Sequence, residues 1–61
     1  MYLVRFTRKD FQPDEEYYYN TLEDANRHLN LFREDDSGLY QRIELLKTTG
    51  ILETMLDVIR F

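Results

Sequence analysis

The chain contains no cysteine, a single histidine and only two glycines among its 61 residues. Without cysteine there is no disulfide framework and no thiolate metal cage, so the staples of many small secreted domains are missing. Two glycines leave little room for a phosphate cradle, and no P-loop, dinucleotide-type glycine pattern or G-x-S-x-G occurs. No apolar run exceeds a few residues, far short of a membrane span. Met1 leads straight into a short alternating run that contains Arg5, where a signal peptide would carry an apolar core. A soluble, cytoplasmic protein with no membrane partner is the expectation.

Charge of one sign is also scarce. Eight basic against twelve acidic residues give a net charge of −4, which repels phosphate backbones at long range. What remains is 43% hydrophobic, with four Phe and five Tyr. A chain of this length is a single domain (residues 1–61), and one this small buries only about 60% of the surface its unfolded form exposes. Self-association is the common remedy once disulfides and metals are excluded.

The stretch from Thr21 to Glu34 organises the rest. Thr21 is a good N-cap, Asp24 stands three residues later, and Glu23 and Asp24 place negative charge on the first turn. Leu22, Ala25, Leu29 and Phe32 fall within an arc of roughly 80° at 100° per residue, an apolar stripe that must face a core. Asp35-Asp36-Ser37-Gly38 is a dense turn signal, so the helix is expected to stop near Asp35. Leu31 lies on the opposite, charged face and is a candidate helix contact for a partner.

Before the helix, Tyr2 to Arg8 alternates as a half-buried strand does, with Tyr2, Val4 and Phe6 on one face and Leu3, Arg5 and Thr7 on the other. Lys9 to Glu16 combines proline with charge and reads as an exposed connection, with Phe11 as its hydrophobic anchor. Tyr17-Tyr18-Tyr19 has strand propensity, Tyr17 and Tyr19 sharing one face. Rings packed across a strand pair account for the triple tyrosine without base stacking or a ligand cage. After the helix, Leu39 to Lys47 is strand-like, with Tyr40, Arg42, Glu44 and Leu46 on one face and Ile43 and Leu45 on the other. Thr48-Thr49-Gly50 provides a reversal into a last strand, Ile51 to Phe61. Apolar residues occupy both parities there, so either both faces are apolar or a bulge shifts the register.

These elements predict an α+β domain: a small antiparallel sheet of three to four strands with one helix packed on one face, β-β-α-β-β or β-α-β-β. One helix covers one side, leaving a far face with Leu3, Arg5, Tyr18, Tyr40, Arg42, Leu46 and Arg60 as the candidate interaction surface.

Catalytic chemistry finds few candidates. His28 lies four residues from Asp24 on one helix face, which suits a surface ion pair; a metal site would need a second histidine or cysteine. The clusters Asp14-Glu15-Glu16 and Glu34-Asp35-Asp36 lack the alternate-position spacing of an EF-hand loop. No catalytic residue, metal or cofactor is expected.

The run Tyr17-Tyr18-Tyr19-Asn20-Thr21-Leu22-Glu23-Asp24-Ala25, with His28-Leu29, then Leu31 to Tyr40 and Arg42-Ile43-Glu44-Leu45, resembles short uncharacterised proteins of Firmicute genomes and their mobile elements. The resemblance implies a compact intracellular domain and an accessory role in a mobile element, and brings no catalytic or binding residues with it. The expected function is a non-enzymatic protein-interaction or assembly module, homodimeric, using the far sheet face or the edge of the last strand. Two alternatives belong to other classes: an acidic inhibitor that mimics nucleic acid and binds a basic partner protein, and a weak nucleic-acid-binding sheet built on Arg5, Arg42 and Arg60.

Overall fold

The alternation of Tyr2 to Arg8 becomes the first strand of the sheet. The computed structural model describes residues 1–61, and its elements run β1 (Tyr2–Arg8), β2 (Glu15–Tyr19), α1 (Leu22–Asn30), β3 (Tyr40–Thr49) and β4 (Leu52–Arg60). The four strands lie in the order β2-β1-β3-β4, every neighbouring pair antiparallel. β2 and β3 therefore flank β1 and run parallel to each other, and the chain must cross β1 to connect them. The crossing segment is α1. It packs on β1, β3 and β2, and no residue of it comes within 8 Å of β4, Cα to Cα.

The start of α1 follows from its sequence. Thr21 is extended (φ −123°, ψ 149°) and its hydroxyl accepts from the Asp24 N–H at 3.2 Å. The end comes earlier than the apolar stripe suggests. The α-helix stops at Asn30, and the N–H groups of Leu31, Phe32 and Arg33 donate to carbonyls three residues back, on His28, Leu29 and Asn30. This tightened turn swings Phe32 to 4.9 Å from Phe6, ring to ring, edge to face. Ala25 and Leu29 form the buried part of the stripe, while Leu22 is 40% exposed.

Val4, Phe6, Ile43, Leu45 and Ile59 meet Ala25 and Leu29 in one core, with Tyr2, Tyr19, Phe32 and Tyr40 packed around it. Each large aliphatic side chain fully buried there stabilises the fold by about 1.5–3 kcal/mol.

Two bulges adjust the faces. Arg8 lies opposite Tyr40 while Thr7 lies opposite Arg42, so Gln41 is an extra residue on β3. It turns Tyr40 to the helix side, 5.1 Å from Phe6 and 5.9 Å from Phe32, a correction to the far-face position expected from simple alternation. On β4, Leu45 faces Asp57 and Leu46 faces Met55, leaving Leu56 as the extra residue. That insertion explains why apolar residues occupy both parities of the last strand. β3 also runs two residues further than Lys47, through Thr49, and the reversal consists of Gly50 and Ile51. Gly50 has φ +60° and Ile51 does not lie at positive φ, the pattern of a two-residue type II′ hairpin, whose first position favours glycine.

No helix of the chain is long and apolar enough to cross a membrane.

Candidate interaction surface

On the sheet face away from α1, the register sets side chains in rows across the strands. Tyr18, Leu3, Leu46 and Met55 form one row, and Glu16, Arg5, Glu44 and Val58 the next. This face is not an open apolar patch. Leu3 has no exposed surface and Leu46 only 4%. Their cover is Arg5, whose Nε donates to Glu16 at 2.8 Å and whose Nη2 donates to Glu53 at 2.8 Å. Glu16 lies on β2 and Glu53 on β4, opposite Thr48. The register puts the Leu3–Leu46 row between Arg5 and Glu53, so the guanidinium reaches across it, its head fixed by a carboxylate from each edge strand. Both hydrogen bonds hold the Arg5 proton more firmly than an ordinary arginine does. Two residues of the expected surface, Leu3 and Leu46, are therefore its buried foundation, and Tyr40 belongs to the other face.

Tyr18 does stand on the far face, 57% exposed. Arg42 and Arg60 lie directly opposite each other on β3 and β4, a like-charged cross-strand pair, which is destabilising by itself. Arg42 has the buried Glu44 carboxylate at 3.5 Å; no carboxylate lies within 4.0 Å of Arg60.

The two edges of the sheet differ. β2 has five residues and starts with two glutamates, an edge made short and charged. β4 has nine residues and no helix beside it, and Leu52, Met55 and Leu56 are 67%, 47% and 45% exposed. The direction of its free backbone groups can be read from one bond. Phe61 N–H donates to the Gln41 carbonyl at 3.1 Å, which makes Arg42 and Arg60 a non-hydrogen-bonded pair. Because antiparallel pairs alternate, Val58, Met55 and Glu53 occupy the same kind of position once the bulge is counted. The N–H and C=O groups of Glu53, Met55 and Arg60 and the C=O of Val58 therefore point outward, along the open edge, while the Val58 N–H donates to the neighbouring Asp57 carboxylate at 2.8 Å.

His28 makes no ion pair. Its Nδ1 lies 2.7 Å from the Tyr19 hydroxyl, and its ring packs against Phe6, Tyr17 and Phe32 at 4.9–5.8 Å. Burial lowers its pKa below the usual 6.5. Asp24, its expected partner, instead accepts from Arg27 at 3.1 Å. Leu31, 76% exposed, lines a shallow cleft beside Tyr19, Asp24, Arg27 and His28. Part of each acidic cluster is held in local contacts: Glu15 and Glu16 face Arg8 and Arg5, and Asp35 accepts from Ser37 at 2.6 Å.

No protein-family model matches the chain, and neither a curated protein nor a solved structure is significantly similar to it. Sequence alternation singled out Arg42 and Arg60 but none of Glu53, Met55, Leu56 and Val58. Their signal was the broken parity of the last strand, whose bulged residue hides which side chains share a face.

Proposed function

We propose that this protein is a cytoplasmic, non-enzymatic assembly module that works as a homodimer through the open edge of β4. The observation that carries this reading is the contrast between the two edges. A nine-residue strand with outward backbone groups and exposed Leu52, Met55 and Leu56 is a template for pairing with another chain. The five-residue β2 is not. The far face supports the same reading from the other side: Arg5 is saturated by Glu16 and Glu53, which removes a central cation from any nucleic-acid platform built there. An accessory role in a mobile element, implied by the resemblance of the chain, belongs to the same proposal.

The test is solution mass across a concentration series, by light scattering on a sizing column. The reading expects twice the 7.5 kDa chain mass at high concentration, falling toward the monomer on dilution. A 7.5 kDa species at every concentration up to the millimolar range would overturn it.

A further inference from the structure

The β4 edge carries a pattern of charge and apolar side chains that is complementary to itself. Its four outward-directed residues, in order, are Glu53, Met55, Val58 and Arg60: an acid, two apolar residues and a base, all with side chains on the far face. Read in the opposite direction, the series places a base where the acid was. Two copies of such a strand, brought together antiparallel, match acid to base at both ends and apolar to apolar in the middle.

Resting on the homodimer reading above, we propose that two copies join edge to edge through β4, about a two-fold axis at Leu56 and Asp57. Glu53 of each copy then faces Arg60 of the other, and Met55 faces Val58. The two sheets become one continuous antiparallel sheet.

Three constraints select this register. A two-fold perpendicular to the sheet keeps each side chain on its own face, so residues paired across the seam must belong to the same face. Of the registers that satisfy this, the one centred on the bulge sets Glu53 against Arg60 with both backbone bonds of the pair, and Met55 against Val58 with one, Met55 N–H to the Val58 carbonyl, since the Val58 N–H is held by Asp57. The bulge supplies the second constraint. It bends the edge and discourages pairing with a regular strand, whereas a second copy carries the same bend at the same place. The third is charge. Arg60 lies beside Arg42 without a carboxylate of its own, and the second copy's Glu53 brings one. That glutamate is already held in place by Arg5 at 2.8 Å, so opposite charges alternate across the seam from Glu16 through Arg5 and Glu53 to the Arg60 of the other copy.

Sedimentation velocity on four proteins tests the register: the wild type, Arg60→Glu, Glu53→Arg and the double variant. Each single change sets like charges opposite each other twice per dimer and is expected to weaken association on the order of tenfold. The double variant exchanges the two charges and is expected to associate more tightly than either single variant, short of the wild type because it also removes the Arg5–Glu53 ion pair. Far-UV circular dichroism checks that each variant is folded, and oxidation of a Met55→Cys/Val58→Cys double variant gives an independent readout. That variant is expected to form a covalent dimer, which neither single cysteine forms under the same conditions. A wild-type dimer indifferent to the charge changes, or a double variant no better than the singles, overturns the register and leaves the homodimer reading standing. A wild type that never dimerises overturns both.

Discussion

Arg5 on β1 donates to Glu53 on β4 at 2.8 Å, although β3 lies between their strands. The bond is long-range in the sheet because the arginine lies across Leu3 and Leu46. Removing it takes away a cover as well as a charge. Arg5→Ala is expected to lower unfolding free energy by about 1–3 kcal/mol, within the range of changes that disrupt packing and an ion pair together. Arg5→Lys should recover only part of this, since an ammonium lacks the planar fork that reaches both carboxylates. Urea unfolding of the three proteins measures it; equal midpoints would show that the leucines do not depend on Arg5.

The lowered pKa of His28 gives stability a pH dependence of definite sign. The folded protein holds the ring neutral among Phe6, Tyr17 and Phe32, whereas the unfolded chain protonates near 6.5. As pH falls below 6.5, the unfolded state binds the proton first. Stability is thus fully present above that value and is lost as pH drops toward the folded pKa. Asp10 and Asp57, whose pKa values are lowered by Arg8 and Arg33, begin to lose their contributions only near the ordinary 3.8, so the windows are separate. Urea midpoints between pH 7.5 and 5.5 should fall for the wild type and stay level for His28→Gln. An equal fall in both proteins would assign the effect elsewhere.

Leu29 and Phe32 share the apolar stripe but not its burial. Leu29 is fully buried, and Leu29→Ala is expected to cost about 2–5 kcal/mol, enough to unfold a domain of this size. Phe32 lies in the turn beyond the helix and is only partly buried, so Phe32→Ala should cost less. Thermal unfolding orders them; a larger loss at Phe32 would mean that the aromatic cluster, rather than the helix face, dominates the core.

The fold was legible where one rule acted alone. Alternation placed Val4 and Phe6 opposite Leu3 and Arg5, the cap placed Thr21, and the broken parity of the last strand left two readings, two apolar faces or a bulge, of which the register shows the bulge. The far face was misread where two rules competed. Tyr40 and Arg42 share a parity, yet Gln41 is inserted between them and Tyr40 turns to the core; no residue type in that run marks a bulge. Leu3 and Leu46 looked free because sequence shows which face a side chain occupies, not what lies across it. Their cover depends on Glu53, 48 residues from Arg5 in the chain. The helix end was missed for a similar reason, since the apolar spacing of Phe32 fits an α-helix and a tighter turn equally well.

The most direct test of the β4 edge is amide hydrogen exchange, followed residue by residue by nuclear magnetic resonance at high and low protein concentration. The outward N–H groups of Glu53, Met55 and Arg60 should exchange slowly in the concentrated sample and quickly in the dilute one. Ile59, opposite Ile43 inside the sheet, should be slow in both. Free exchange of these three outward amides at every concentration would contradict the account.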